Sequence, residues 1–375
     1  MTLPESEERA ITHDTAYEAV AADDFPAMVA VERYGRRSDA FDQIIGATHD
    51  HFWDPHNPVY LDYSKPFDLD REYLMPPERF PELNCAATEH LDEGQRIRLA
   101  NEITRWNLSN FVHGEQGALS LSASLCDILL DPGAQEYAAN QAREEARHVA
   151  AFSRYIAVRW GEPLPVGPVL GEFLHDIVLT PLVYKKLVGM QMLLEGLAMG
   201  AFANMHAYTN DPLLKRLVQL VMTDEAFHHK FGKIWADKTF PKLTPEEHER
   251  VEDWTAHVFE ALLFNLSSLS QRAYIYESFG LSCDDIRASL RERFHAGRRN
   301  AMRESTNVFR VLVKTLQKSG IITERTAHVY AAWVDLDELR EEGETMIGDA
   351  IAAEGIEYLR DINRRRRPIG RAMAG

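Results

Sequence analysis

Two short stretches of this sequence place the same polar residue types at the same spacing. Glu145 and His148 lie in REEARH, and Glu225 and His228 lie in TDEAFHH. A separation of three residues brings both side chains to one face of an α-helix, where they can converge on one point. Carboxylate oxygens and imidazole nitrogens are common ligands of transition-metal ions. Each stretch therefore predicts half of a metal site.

Two further glutamates precede these stretches at equal distances. Glu115 stands 30 residues before Glu145, and Glu195 stands 30 residues before Glu225. The offset between the two halves is 80 residues for both glutamate pairs and for the two histidines. Thirty residues fit one helical hairpin, with about a dozen residues running out and about a dozen running back at roughly 1.5 Å per residue. Two packed hairpins would bring all six side chains to one depth.

The number and type of these side chains favour chemistry over a purely structural role. Any one of the glutamates alone is typical of a solvated helix face, and His148 alone is typical of a hydrogen-bonded core residue. Four acids that are buried together without positive charge would cost many kcal/mol. Four carboxylates and two imidazoles suit two iron ions, Fe2+ or Fe3+, and a manganese–iron pair is also accepted by such ligands.

Long helices must position these residues. Apolar segments without an internal proline run over 91–130, 134–160 and 213–240, and a fourth runs over 171–208. Pro181 should kink that segment or mark its true start. Further helical stretches fill roughly 245–279, 283–318 and 324–363, and no alternating strand pattern is present. The sequence therefore predicts an all-α protein that is built around a four-helix bundle.

The first 90 residues have a different composition, rich in proline, aspartate and aromatic residues. Prolines at 55, 58 and 66 exclude a long helix, so residues 1–90 are expected to form an extended segment that packs on the core. The bundle is predicted over 91–243, and residues 244–375 should add helices to the same domain. His49, His51 and His56 lack helical spacing and are interpreted as surface or packing residues.

Residues 95–240 resemble the ferritin-like di-iron carboxylate superfamily, in which two helices each give a glutamate and two others each give Glu-x-x-His. The resemblance implies that Glu115, Glu195 and the two Glu-x-x-His pairs are iron ligands. It also implies that the acid before each pair holds the histidine of the other pair: Glu144 holds His228, and Asp224 holds His148. Arg147 and His229 are expected to be peripheral.

Single positions separate this sequence from particular members of the superfamily. Phe152 stands where the small subunit of class I ribonucleotide reductase has its radical tyrosine. Ala198 and Met199 stand where bacterial multicomponent hydroxylases and acyl-carrier-protein desaturases have a threonine. Val221 stands where arylamine N-oxygenases have an additional histidine. The chain is also far longer than a ferritin, so a substrate pocket is favoured over a storage cage.

The resemblance implies a non-haem di-iron monooxygenase or oxidase that uses O2 to hydroxylate or N-oxygenate a small organic substrate. Two alternatives stay open: an acyl-carrier-protein-type fatty acyl desaturase, and a ferroxidase or iron-binding protein. No GxGxxG loop, four-cysteine cluster or P-loop is present in the sequence. Electrons are therefore expected from a separate ferredoxin or reductase, or from the substrate.

The substrate pocket is expected beside Glu115 and Glu195, on the side away from the histidines. Helical spacing predicts the following walls: Phe111, Leu119, Gln191, Met192, Ala198, Met199 and Phe202. The small residues Gly196, Ala198, Gly200 and Ala201 either leave room for substrate or allow close helix packing.

Composition limits the remaining functions. The net charge of −17 argues against a nucleic-acid partner. Three cysteines without CxxC spacing suit a reducing cytoplasm and argue against a zinc or iron–sulfur site held by thiolates. The N-terminus has no apolar secretion signal, and no run of eighteen apolar residues occurs, so neither secretion nor a membrane span is expected. We expect a cytoplasmic homodimer.

Overall fold

The computed structural model describes residues 16–266, 268–294, 308–331, 333–343 and 347–366. Within these ranges the chain is mostly helical and has no β-strand, so the predicted all-α class is confirmed. The helices are Phe25–Met28 (α1), Val31–Tyr34 (α2), Asp42–Asp50 (α3), Glu93–Leu125 (α4), Pro132–Trp160 (α5), Pro168–Leu179 (α6), Val183–Tyr208 (α7), Pro212–Thr239 (α8), Pro245–Leu266 (α9), Ala273–Ser278 (α10), Cys283–Phe294 (α11), Val308–Lys318 (α12), Ala327–Ala331 (α13), Leu336–Glu341 (α14) and Ile347–Arg366 (α15).

The long helices begin where the sequence supplies capping groups. Asp92 forms a capping box with Gln95 at the start of α4. An aspartate caps both α5 and α8, and a proline follows it at the first helical position. These Asp-Pro pairs, at 131 and 211, repeat at the same 80-residue offset as the acid–histidine residues. Each pair fixes the start of the second helix of a hairpin, and it therefore sets the depth of Glu145 and Glu225.

Four helices pack side by side around the predicted site. Helix α4 lies along α5, α7 lies along α8, and α5 contacts α8. The central part of α7 also contacts α4, which brings the two hairpins together. Helix α12 packs on α7, and α15 packs on α8 and α7. The buried apolar side chains form two clusters, one that includes Tyr137 and Phe231 and one that includes Phe152 and Phe202.

Helix α7 agrees with one predicted alternative at its start and departs from the sequence prediction in its central part. The segment is interrupted at Pro181, since α6 ends at Leu179 and α7 begins at Val183, which is the second of the two predicted alternatives. Residues Leu187–Leu194 form π-helical turns, which the sequence does not predict. The N–H of Glu195 donates to the carbonyl of Met190, five residues earlier. The side chains of α7 that face the site therefore do not follow the spacing of a regular α-helix.

Helix α7 is also long and apolar enough, by length and composition, to cross a membrane. Most of its apolar window, 72%, is buried inside the fold, which is typical of a core helix.

The segment before α4 contains short helices as well as the predicted non-helical chain. The proline-containing part after α3 is irregular, and the longest helix before it has nine residues. Trp53 and Leu61 from this part are buried in the core. Residues 1–15, to which the expected absence of a secretion signal refers, lie outside the described residues.

The helices after α8 are shorter than predicted. The stretch 245–279 is divided between α9 and α10, and Gly280, with a φ of 71°, follows α10. The stretches 283–318 and 324–363 each contain more than one helix, and they include residues 295–307, 332 and 344–346, which lie outside the described residues.

Candidate metal centre

The structure brings all six predicted ligand residues together in the interior. The six are Glu115, Glu145, His148, Glu195, Glu225 and His228, and none is more than 7% exposed. They form two overlapping groups that share Glu145 and Glu225. Glu115 and His148 complete one group, and Glu195 and His228 complete the other. Within each group the ligand atoms lie within 4.8 Å of one another.

The two imidazoles present the same nitrogen to the centre of the cluster. Nδ1 of His148 lies 3.2 Å from carboxylate oxygens of Glu115, Glu145 and Glu225. Nδ1 of His228 lies 3.1 Å from Glu145 and 3.3 Å from Glu225. Glu145 and Glu225 therefore each face both rings with different oxygens, as bridging carboxylates would.

The outer nitrogens of the rings bind the two acids that the resemblance indicated. Nε2 of His148 lies 2.9 Å from Oδ2 of Asp224, and Nε2 of His228 lies 3.0 Å from Oε2 of Glu144. Each contact joins α5 to α8. A carboxylate on the outer nitrogen fixes the ring orientation and leaves Nδ1 directed at the cluster.

Burial and mutual charge dominate the electrostatics of the cluster. Burial raises the pKa of Glu115 and Glu195 well above the ordinary carboxyl value, and the charge of neighbouring glutamates raises both further. Burial lowers the pKa of His148 and His228, but the surrounding carboxylates outweigh it and hold both pKa values well above normal. The carboxylates thus favour positively charged, protonated imidazoles. A metal ion would compete with the protons that the two histidines bind.

Arg147 is not peripheral, contrary to the sequence prediction. Its guanidinium is 8% exposed, lies 2.7 Å from Asp224 and 3.2 Å from Glu144, and so connects the two acids that hold the histidines. Burial raises the pKa of Asp224, but the charge of Arg147 and the hydrogen bond from His148 hold it well below normal. The prediction was wrong because the position of Arg147 in the sequence reveals neither its burial nor the packing of α5 on α8.

His229 lies outside both groups, as expected. Its ring contacts the carbonyl of Gln191 at 3.3 Å and the hydroxyl of Thr315 at 2.6 Å. It therefore joins α8 to α7 and α12 and makes no contact with the ligand carboxylates among the described residues.

The irregular segment after α3 supplies two residues that the sequence does not reveal. Nε1 of Trp53 donates to Oδ2 of Asp224 at 2.9 Å, and the indole is fully buried against His148. His51 is buried, with Nε2 at 3.4 Å from Asp224 and its ring stacked on Phe227. His51 was interpreted as a surface or packing residue. No motif or helical spacing marks either position, so no sequence signal could have found them.

A third acid–histidine group, His51, Glu144 and Asp224, also comes within 4.8 Å. Arg147 already contacts both of its acids, so a guanidinium supplies the positive charge there. A metal ion is therefore favoured in the two ligand groups rather than in this one.

Two buried amides support the ligand glutamates. Nε2 of Gln141 donates to Glu195 at 2.8 Å and to Glu145 at 3.0 Å. With its amide oriented to satisfy its neighbours, Gln191 donates to Oε2 of Glu195 at 2.7 Å and accepts from Gln141 at 3.0 Å. Gly232 on α8 leaves room for Gln191, since a Cβ there would lie 2.6 Å from that of Gln191.

An apolar cavity of about 280 Å3 adjoins the cluster and contacts the four ligand glutamates but neither histidine. Of the predicted walls, Phe111, Ala198 and Phe202 line this cavity. Further apolar walls come from Trp106, Leu170, Met190 and Phe309. The sequence predicts the substrate pocket on this same side of the cluster, away from the histidines.

Four predicted walls do not line this cavity: Leu119, Gln191, Met192 and Met199. On α7 the reason is the π-helical register, because Met190 rather than Gln191 comes one turn before Glu195. On α4 the cavity meets Ala118 instead of Leu119. Met199 contributes to a different cavity, together with Thr315.

The positions that separate this sequence from members of the superfamily have structural roles. Phe152 is fully buried and stacks with Phe202, behind the cavity wall. Val221 is a fully buried core residue. Among the small residues of α7, Ala198 and Ala201 line the cavity, whereas Gly196 faces Leu312, where an added Cβ would make ordinary van der Waals contact at 3.4 Å.

Comparison with models of protein families and with curated proteins gives no match to this sequence. The assignment of the site consequently depends on the geometry and chemistry of the residues described above.

Proposed function

We propose that the protein is a non-haem di-iron oxygenase of the ferritin-like di-iron carboxylate superfamily. The observation that carries this proposal is the shared geometry of the cluster. Two buried groups, each with one histidine and three glutamates, have Glu145 and Glu225 in common. A single metal ion would not require two ligand groups with members in common. A pair of ions that is bridged by carboxylates requires ligands that both ions share. The packing of α4, α5, α7 and α8 supports a ferritin-like four-helix bundle as the scaffold.

The charge of the site supports two divalent or trivalent ions. The four ligand glutamates, Glu144 and Asp224 are all buried, and Arg147 is the one permanently cationic side chain among the described residues that contact them. Two cations between the carboxylates would relieve this excess of negative charge. We assign iron because carboxylate-rich ligand sets with histidine suit it, and a manganese–iron pair meets the same requirements.

The chain's own residues would bind and orient the substrate. Phe111, Phe202 and Leu170 provide an apolar wall next to the glutamates. When bound, the iron pair would supply reactivity toward O2 as co-substrate. Gln141 and Gln191 would hold Glu195 in place at the border between cavity and metals. The proposed reaction is hydroxylation or N-oxygenation of a small organic molecule, with a ferredoxin or reductase as electron donor.

The ligand set is tested by substitution and metal analysis. We predict that wild-type protein reconstituted with Fe2+ under anaerobic conditions binds two irons per chain, and that Glu145→Ala or His228→Ala loses most of this iron while it keeps its helical circular dichroism. Glu136→Gln is the matched control, since Glu136 lies on the same helix but is exposed and pairs with Arg37. Full iron content in both ligand variants would contradict the assignment.

The reaction type is tested with reductant, O2 and a panel of apolar substrates. A product mass increase of 16 supports oxygenation, and a loss of 2 supports the desaturase alternative. Uptake of far more than two irons per chain without substrate oxidation would instead support the ferroxidase alternative. Size-exclusion chromatography tests the proposed homodimer, and localisation of a tagged chain tests the proposed cytoplasmic site.

A further inference from the structure

A second cavity, of about 310 Å3, is lined by residues of α7, α8, α12 and α15 and by none of the six ligand residues. Lysines dominate the charge of its described wall, which contains four of them and a single acid: Lys230 and Lys233 on α8, Lys314 and Lys318 on α12, and Asp349 on α15. This excess of cations is local, because the whole chain has a net charge of −17. The wall therefore has the charge of a site for an anion.

Helices α8 and α12 line this cavity with residues at the same spacing. The wall residues stand at positions i, i+3, i+4 and i+7 of each helix, which are 226, 229, 230 and 233 on α8 and 311, 314, 315 and 318 on α12. Residues at this spacing share one face of a helix. The hydroxyl of Thr315 lies 2.6 Å from Nε2 of His229, so the two faces meet near the middle of the cavity.

The two helices run in the same direction along the cavity. Helices α7 and α8 are antiparallel, because only three residues connect them and they pack along each other. Gly196 on α7 faces Leu312 on α12. Earlier on α7, the carbonyl of Gln191 contacts His229, which in turn contacts Thr315. Helix α12 is therefore antiparallel to α7 and parallel to α8.

The polarity of the wall consequently changes from one end of the cavity to the other. Ala226 and Val311 lie at one end, and Met199 lies on the same side because α7 runs antiparallel to α12. Lys233 and Lys318 follow seven residues later on their helices, which corresponds to about 10.5 Å along the helix axis. A matching ligand therefore has an apolar body of several carbon atoms and an anionic head group.

Three of the wall lysines keep hydrogen-bond donors for such a head group. Lys230 and Lys318 pair with no acid among the described residues, since Lys230 lies over the ring of Phe227 and Lys318 donates to two backbone carbonyls at the end of α14. Lys233 pairs with Asp237, which lies outside the wall. An ammonium group has three N–H donors, so these contacts leave at least one donor on each of the three lysines.

Lys314 lies between the two ends of the wall and is buried, with 4% of its surface exposed. Its ammonium lies 3.3 Å from Glu342. Burial lowers the pKa of Lys314, and the charges of Lys318 and Arg310 lower it further, whereas Asp349 raises it. An anionic head group near Lys314 and Lys318 would offset this local excess of positive charge.

We propose that this cavity binds an amphipathic organic anion, with a carboxylate or phosphate head group held by the lysines and an apolar body directed toward Ala226 and Val311. The first cavity is lined by four glutamates and by no lysine among the described residues, so the two cavities select different molecules. The inference does not depend on the proposed function, because no metal ligand lines this cavity.

Isothermal titration calorimetry with eight-carbon probes tests the site. We expect octyl phosphate or octanoate to bind, and the tighter of the two identifies the head group. Inorganic phosphate should bind at least about tenfold more weakly than octyl phosphate, because it lacks the apolar body. An excess of 1-octanol, which has the body without the charge, should not displace the bound anion. Failure of both anions to bind, equal affinity for inorganic phosphate, or displacement by 1-octanol would overturn the proposal.

Lysine variants assign the binding to this cavity. Lys314→Gln should lower the affinity for the tighter anion about tenfold, and so should Lys230→Gln combined with Lys318→Gln. The combined variant changes two exposed residues and decides the question if Lys314→Gln does not fold by circular dichroism. Lys215→Gln is the matched control, since Lys215 is exposed on α8 and lies outside the wall. Wild-type affinity in the lysine variants, or an equal loss in Lys215→Gln, would refute the site.

Discussion

Asp224 shows how one acid can organise a site without facing its centre. Its carboxylate contacts His148, Arg147 and Trp53 at 2.7 to 2.9 Å, and all of these groups are buried. The negative charge orients the imidazole so that Nδ1 faces the glutamates. Trp53 and Arg147 in turn hold the carboxylate, so the irregular N-terminal segment contributes to the geometry of the site.

We predict that Asp224→Asn lowers metal affinity about 10- to 100-fold with little change in helical content, because the amide keeps the shape but loses the charge that holds His148 and Arg147. Co2+ titration followed by absorbance measures the affinity. Asp237→Asn is the control, since Asp237 lies on the same helix and is exposed, with Lys233 as its partner. An unchanged metal affinity in Asp224→Asn would contradict the role of Asp224 in holding the metal ligands.

Gly232 supports the same site because the absence of a side chain there leaves room for Gln191. We predict that Gly232→Ala lowers the free energy of unfolding by about 1–3 kcal/mol and weakens metal binding, because its Cβ would displace Gln191 from Glu195. Urea unfolding and iron titration measure the two effects. Gly46→Ala is the control, since nothing lies within 4 Å of a Cβ there and the helix should gain slightly.

At the scale of elements, the Asp-Pro starts of α5 and α8 align the two hairpins. Asp131 accepts hydrogen bonds from the backbone N–H groups of Gly133 and Ser38 and pairs with Lys238 at 2.8 Å. Burial raises its pKa, but Lys238 and the two N–H groups outweigh burial and hold the pKa below normal. One side chain thus caps α5 and attaches both the N-terminal segment and α8 to its first turn.

We predict that Asp131→Ala lowers the free energy of unfolding by about 1–2 kcal/mol at pH 7. Because the folded pKa lies below the unfolded value, this contribution is present above about pH 4 and is lost as the pH falls through the folded pKa. The difference between wild type and variant should therefore shrink in acid. Asp127→Ala, an exposed acid in the same turn, should have no such effect in urea unfolding.

At the scale of the whole molecule, one buried lysine couples global stability to pH. Lys186 lies on the first turn of α7, where its ammonium donates to the hydroxyl of Ser124 on α4 and to the carbonyl of Val178 on α6. Burial lowers the pKa of Lys186 to about 8. The unfolded chain, with an ordinary lysine pKa near 10.4, therefore binds more protons than the folded chain between these two values.

We predict that the free energy of unfolding of the wild type gains up to about 1.4 kcal/mol per pH unit from this lysine as the pH rises from 8 toward 10. Lys186→Met should lack that contribution, whereas the neighbouring control Lys185→Met should keep it. Urea unfolding at several pH values measures the slopes, and equal slopes in wild type and Lys186→Met would contradict the prediction.

The sequence was informative wherever the relevant physics is local. Helix bounds follow from prolines and capping aspartates, and the i, i+3 spacing of Glu145 and His148 determines that both lie on one face. The equal 30-residue distances from Glu115 and Glu195 predict that the side chains meet, and the structure brings them together. Their role as iron ligands stays a prediction, as do the reaction and the partners.

Only the tertiary structure decided what surrounds those residues. Trp53 and His51 reach Asp224 from a segment about 170 residues away in sequence, and no local pattern encodes that contact. The π-helical turns of α7 place Met190 instead of Gln191 in the cavity wall, because the backbone there follows the packing of α7 and not intrinsic helix periodicity. The residue types and spacing of the repeated acid–histidine stretches are encoded in the sequence, whereas long-range packing determines which side chains hold them and which walls enclose the cavity.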